Sequence, residues 1–196
     1  MHPELISLCL FMFVTSCSPG PNNILASYSG FNFGILKTIP HMFGVIFGFT
    51  TLVAVMNFGL INVFQKFPII QEILKYTGSL FLIYLAYKIS FSQTKSDSST
   101  KNPVKFIETF FFQFINPKSV IVSVIMVSTY VEKGQNFLTY SFWVLGVAFI
   151  FAVISINFWT LIGKFLRRFA TNEKFIKRFN YVMSFLLLTC IATFYL

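Results

Sequence analysis

Apolar residues fill this chain in six long stretches, at about Leu5–Ser29, Ile39–Phe64, Pro68–Ile89, Val104–Tyr130, Phe137–Gly163 and Phe175–Leu196. A helix needs about 20 predominantly apolar residues to cross a bilayer, so the pattern predicts six transmembrane helices. One polar segment, Ser92 to Pro103, separates the first three stretches from the last three. Three is an odd number, so the second triplet would enter the membrane upside down relative to the first, the layout of an inverted repeat. The expectation is an all-α polytopic membrane protein with a single transmembrane domain over 1–196. Repeat one would occupy about 1–91, a cytoplasmic linker about 92–103 and repeat two about 104–196.

Two of the stretches are interrupted. In the first, Ser16-Cys17-Ser18-Pro19-Gly20-Pro21-Asn22-Asn23 places two prolines, a glycine and two amides between apolar runs. In the fourth, Gln113-Phe114-Ile115-Asn116-Pro117-Lys118 does the same. Proline lacks an N–H, clashes with the preceding turn and pushes its predecessor out of the α region. Helices one and four should therefore be broken near mid-membrane, which hydrocarbon tolerates only where protein or a water-filled cavity covers the freed backbone. Pro19 and Pro117 are related by an offset of 98, which also carries Gly48 to Gly146. Interrupted segments at matching places in two halves point to a transporter's binding site. Asn116-Pro117 reads as an N-cap followed by proline at the first helical position, and Ser18-Pro19 or Gly20-Pro21 can do the same. Each break would start a half-helix whose unpaired N–H groups and partial positive charge favour an anion.

Composition and charge narrow the class. Hydrophobic residues make up 56% of the chain, charged residues 11%, and 28 residues are phenylalanine. A soluble domain carries about 25% charged residues, so the chain belongs in a lipid bilayer. The net charge of +9 would suit a nucleic-acid partner, but its distribution argues against one. Connections one, three and five hold Lys37; Lys88, Lys95, Lys101 and Lys105; and Lys164, Arg167, Arg168, Lys174, Lys177 and Arg178. Connections two and four hold only Lys66, Lys75 and Lys133. By the positive-inside rule the first group faces the cytoplasm, leaving both termini outside. Met1 to Glu4 has no Lys or Arg, so the first stretch is expected to stay as a transmembrane helix instead of being cleaved as a signal peptide.

One base, Lys118, is left over inside helix four. It lies 13 residues beyond Lys105, or roughly 20 Å at 1.5 Å per residue, which is near mid-membrane. A lysine there costs about 2.5–3.5 kcal/mol, a cost that makes sense if an anionic group visits. Two other groups are candidate proton carriers. Glu108 lies near the cytoplasmic end of helix four and His41 near that of helix two, where both would be interfacial. Gly30-x-x-x-Gly34 and Gly44-x-x-x-Gly48 suit close helix contact. Cys9, Cys17 and Cys190 lie in apolar segments without paired or metal-ligand spacing. Two alternatives stay open. A metal-ion transporter needs clustered Asp, Glu or His at mid-membrane, and a membrane thiol-disulfide enzyme needs a partner cysteine for Cys17. The sequence offers neither, and no cofactor is expected.

Ser18-Pro19-Gly20-Pro21-Asn22-Asn23-Ile24-Leu25, followed by Gly30, Gly34, Gly44 and Gly48, resembles the N-terminal signature of the lysine-exporter-type translocators. Gln113-Phe114-Ile115-Asn116-Pro117-Lys118 looks like their helix-four signature. The run Pro21 to Leu25 and the Gln-Phe form are most similar to the cysteine and O-acetylserine exporter branch. Lys37 and Thr38 depart from the family pattern. The resemblance implies a secondary exporter of amino acids or close derivatives in the bacterial inner membrane, driven by the proton motive force with alternating access. It also implies a central site containing Pro19, Gly20, Pro21, Asn22, Asn116, Pro117 and Lys118. Ser18, Asn23 and Gln113 join that site on their position. The expected partners are a small amino acid and the bilayer, with a homodimer left open as the assembly.

Overall fold

The structure, a computed structural model, describes residues 4–91, 104–132, 134–170, 172–192 and 195. The linker expected at 92–103 lies outside the described residues. Among the described residues the secondary structure is helical throughout: α1 (Leu5–Cys17), α2 (Pro21–Val55), α3 (Ile61–Lys66), α4 (Ile69–Ser90), α5 (Phe106–Ile115), α6 (Pro117–Tyr130), α7 (Phe137–Arg167) and α8 (Glu173–Ala192). A five-residue π-helical segment, Met56–Leu60, joins α2 to α3.

Three uninterrupted helical runs are long and apolar enough to cross a membrane: Pro21–Phe64, α7 and α8. The bent pair α5 and α6 would make a fourth, and α1 at 13 residues is too short alone. Their outward faces carry residues such as Phe142 of α7 and Phe185 of α8, each more than 60% exposed. Such a surface belongs against lipid.

The first connection differs from the expected loop. Helix resumes directly after Gly34, whose φ of 76° and ψ of 178° lie outside the helical region. That conformation is open essentially to glycine alone, so a single residue separates Pro21–Phe33 from the helix that starts at Ile35. Gly34 is thus a joint and not the contact residue expected in Gly30-x-x-x-Gly34. A Cβ there would meet nothing within 4 Å. Gly30 does make a close contact, against the backbone carbonyl of Thr160, and Gly163 of α7 packs reciprocally on that of Ser27. Gly44 and Gly48 act as expected: a Cβ at either would lie 2.7 Å from a carbonyl of α5, that of Phe106 or Phe110. The match of Gly48 to Gly146 has no structural counterpart, since Gly146 faces open space.

The two parts of α2 bury different surfaces. Ile24, Leu25 and Tyr28 pack with Leu82, Leu85 and Ile89 of α4 and Leu187 of α8. Beyond Gly34, Val45, Phe49 and Leu52 pack with Leu8 and Met12 of α1, Met126 of α6 and Val144, Ala148 and Ile156 of α7. Both interruptions fall where these two apolar clusters meet.

Candidate functional site

The first interruption is a three-residue bridge. α1 ends at Cys17, with the Ser18 N–H still bonded to Val14 O at 3.1 Å. Ser18 (φ −69°, ψ 136°) and Gly20 (φ −159°, ψ 171°) are extended, and α2 begins at Pro21 with Gly20 as its N-cap. Any residue can adopt the Gly20 conformation, so what glycine supplies here is room for the Lys118 side chain. A Cβ would lie 2.8 Å from Lys118 Cδ and 2.9 Å from its Nζ. The second interruption is one residue long. Asn116 (φ −81°, ψ 106°) is both the C-cap of α5 and the N-cap of α6, and the chain bends by 63° across it. Its Oδ1 accepts the Lys118 backbone N–H at 3.2 Å, with Pro117 at the first helical position where a missing N–H costs nothing. Judged by the helix-starting prolines, Pro21 and Pro117, the two breaks are related by 96 residues and not by the 98 counted from Pro19.

The breaks meet through the second residue of each half-helix. Lys118 Nζ donates to Ser18 O at 2.9 Å and to Ser18 Oγ at 2.7 Å. Asn22 and Gln113 form a reciprocal amide pair: Asn22 Nδ2 donates to Gln113 Oε1 at 2.7 Å, and Gln113 Nε2 donates to Asn22 Oδ1 at 3.1 Å. Ser119 Oγ adds a third bond, to Gln113 Oε1 at 3.0 Å.

The carbonyls freed by the prolines are already engaged by protein donors. Ser16 O accepts from Asn23 Nδ2 (3.0 Å), Ser155 Oγ (3.1 Å) and Trp159 Nε1 (3.2 Å). Ser18 O accepts from Asn23 Nδ2 at 3.0 Å besides Lys118. Asn23 is 7% exposed, and its Oδ1, 3.2 Å from Ser155 Oγ, shares that hydroxyl's single proton with Ser16 O. Its main work is to hold the break in shape.

A cavity of about 80 Å³ opens beside this junction, lined on its polar side by Thr15, Ser16, Asn22, Asn116, Ser119 and Ser155 and on its apolar side by Met12, Val45, Phe49 and Ile156. A second cavity, of about 300 Å³, lies against Pro19, Ile24, Ile121, Leu186, Thr189 and Cys190. Gly20, Pro21, Lys118 and Val122 border both. Lys118 is the one charged side chain that lines either cavity among the described residues.

Of the residues singled out in the sequence, Gly20, Pro21, Asn22, Asn23, Asn116 and Lys118 reach the smaller cavity, and Pro19 the larger. Ser18 holds Lys118, and Gln113 stands behind Asn22. Pro117 is buried against Gly78 of α4. Glu108 is exposed, and its Oε2 accepts the Lys105 N–H at 3.0 Å, capping α5. His41 is fully buried, not interfacial as expected, and its Nδ1 lies 3.1 Å from Thr109 Oγ1. Sequence reasoning missed Ser155 and Trp159 on α7 and Thr189 on α8. The four-residue spacing of Ser155 and Trp159 puts both on one helix face, which was a usable signal, but nothing local says that this face meets Ser16.

Cys9, Cys17 and Cys190 form no disulfide. Among the described residues no three of His, Cys, Asp and Glu are grouped so as to hold a metal ion.

Residues 13–195 match the model of the family described as LysE type translocator. Proteins named cysteine/O-acetylserine efflux protein from Escherichia coli (strain K12), Escherichia coli O139:H28 (strain E24377A / ETEC) and Shigella sonnei (strain Ss046) are each 31% identical to the chain, covering 97% of it and 97% of their own length. No solved structure matches it. A match spanning both interruptions and nearly every helix shows that the chain belongs to the LysE-type translocator family.

Proposed function

We propose that the chain exports a small neutral amino acid or close derivative, of the cysteine or O-acetylserine kind, across the bacterial inner membrane. It does so by alternating access, driven by the proton motive force. The observation that carries this reading is the bond between the breaks: Lys118 of one half-helix is held by the backbone and hydroxyl of Ser18 in the other. A substrate carboxylate would replace Ser18 as the partner of Lys118. The bonds to Ser18 have one charged partner and those to a carboxylate would have two, the strongest kind of hydrogen bond, so the exchange would be favourable and release the first break. The substrate ammonium would be received by the amide oxygens of Asn22 and Asn23. Each accepts one bond within the protein and an amide oxygen has two lone pairs. The smaller cavity suits the head group, and the larger one across Lys118 suits the side chain. The named relatives, cysteine/O-acetylserine efflux proteins, support a substrate of this size and polarity.

In this reading α1 with Pro21–Phe33 is the first span, the helix from Ile35 the second, α4 the third, the bent pair the fourth, and α7 and α8 the fifth and sixth. The halves are inverted repeats in register at 96 residues, with both termini periplasmic. Rocking of one half against the other would break and remake the contact between Ser18 and Lys118.

The test is efflux from vesicles preloaded with a panel of labelled amino acids, with and without a proton gradient. Cysteine and O-acetylserine should leave fastest, and collapse of the gradient should slow them. Lys118→Ala should cut that flux by about 100-fold, the loss of one strong charged contact, while the protein still inserts. Unchanged flux of every accepted substrate in this variant would end the carboxylate-site reading.

A further inference from the structure

His41 is the group the substrate site does not use and the fold nevertheless keeps. It is fully buried, and its Nε2 has no hydrogen-bond partner. Its surroundings fix what that nitrogen is. Thr109 Oγ1 donates its single proton to Lys105 O at 3.0 Å. With that proton on Lys105 O, the 3.1 Å contact between Thr109 Oγ1 and His41 Nδ1 takes its proton from Nδ1–H. Nε2 is then a bare lone pair enclosed in the protein, a site with room for a proton and nothing supplying one.

Asn22 lines the substrate cavity. It is tied to His41 through α5. Its side chain pairs with Gln113, Gln113 Nε2 donates to Thr109 O at 2.9 Å, and Thr109 holds the imidazole. Among the described residues no charged side chain competes for the role at this place. Lys37 on α2, Lys105 and Glu108 on α5, Lys164 and Arg167 on α7, and Glu173, Lys174, Lys177 and Arg178 on α8 are all exposed, and Lys118 on α6 is held by Ser18.

We propose that His41 is the proton-carrying residue of the transport cycle, coupled to the substrate site through Asn22. This rests on the export reading above. Loading takes a proton from water on one side of the membrane, forms an N–H bond at Nε2 and gives an imidazolium whose charge strengthens the Nδ1–H bond to Thr109. Unloading returns that proton to water on the opposite side of the membrane. The charge reaches the site through Thr109 and Gln113, whose side chain holds Asn22 in the first turn of the half-helix. Histidine is the side chain whose ordinary titration falls between about pH 5 and 8.

Two measurements test it. The chain has 2 histidines, so H2Q leaves one, and nitrogen-15 spectra of the histidine-labelled protein in bilayers read its state directly. The expected result is an Nδ1–H tautomer with bare Nε2 at alkaline pH. It should become doubly protonated on acidification, with its proton affinity changed at least about fivefold by saturating cysteine or O-acetylserine. An Nε2–H tautomer, or a ring that stays neutral between about pH 5 and 8 with and without substrate, would overturn the proposal. The second is transport in proteoliposomes. H41Q should lose accumulation driven by an imposed pH gradient while still exchanging labelled for unlabelled substrate. Retained gradient-driven accumulation would overturn it. If H41Q lost exchange as well, the spectra decide. If the unaltered protein exchanged neither compound, the export reading would fail on its own, and the tautomer and titration would still judge His41.

Discussion

The two interruptions do the same thing by different means. At Asn116 a single residue ends one helix, starts the next and caps it with its own side chain. The break is written into three consecutive residues, Asn116-Pro117-Lys118, and needs little from the rest of the protein to hold its angle. At Ser18–Gly20 there is no capping side chain. The bridge is held by donors far away in sequence: Asn23, Ser155 and Trp159 on Ser16 and Ser18, and Lys118 from the other break. A locally coded break is stiff, whereas one held by distant side chains can be released by changing a single partner. On the proposed export reading the difference would assign the parts: the second break would be the fixed wall that presents Lys118, and the first the wall that moves when Lys118 changes partner.

Gly20→Ala attacks the moving wall with the largest expected effect. The extended Gly20 backbone accepts alanine without strain, and the added Cβ meets only the flexible end of Lys118, at 2.8–2.9 Å. Folding should therefore survive with little change in thermal stability. Lys118 must leave Ser18, however, and losing that charged contact should slow transport by about 10- to 100-fold. A variant that transports normally would show that the contact is not part of the cycle.

Which features the chain discloses on its own follows from the same contrast. The second break is readable residue by residue, because N-cap, proline and lysine sit in one hexapeptide with Gln113. The existence of the first break is equally plain from Pro19 and Pro21. Its supports are not, because they come from α7, and hydrophobic periodicity does not say which helices touch. The family signature likewise spans both breaks yet says nothing of Ser155 or Trp159. Gly34 illustrates the limit in another way. A glycine four residues after Gly30 looks like a packing residue, and only its φ of 76° reveals a joint. His41 seemed interfacial from its place near a helix end, but the joint at Gly34 and the close packing of α5 at Gly44 and Gly48 carry it into the interior. The transporter class, by contrast, was legible from charge distribution and the paired breaks, and the family match agrees.

Asn116→Ala tests the fixed wall and should have a middling effect. Removing an N-cap costs about 1 kcal/mol, or a fall of about 2–4 °C in the unfolding midpoint for a chain of this size. Asn116→Ser should recover most of it, because the hydroxyl can take the same Lys118 N–H. Thermal unfolding in detergent reads both. A loss many times larger would mean that the second break also depends on distant partners, and the proposed division between the walls would collapse.

Trp159→Phe is the smallest change and separates the walls most directly. It removes one of three donors from Ser16 O while Asn23 and Ser155 remain, so the carbonyl is still satisfied. One neutral hydrogen bond contributes about 0.5–1.5 kcal/mol, and the cost here should fall at the low end because two donors persist. Global stability would barely register it, but local opening would. Hydrogen exchange across Ser16 to Gly20 should quicken by about threefold, the equivalent of about 0.6 kcal/mol, and exchange across Phe114 to Lys118 should not change. Adding Ser155→Ala takes away a second donor and frees Asn23 Oδ1 as well. The double variant should therefore loosen the first break by more than the sum of the single effects. Equal loosening of both segments would mean that the breaks move as one body, and that Lys118 binds them together more tightly than a gate requires.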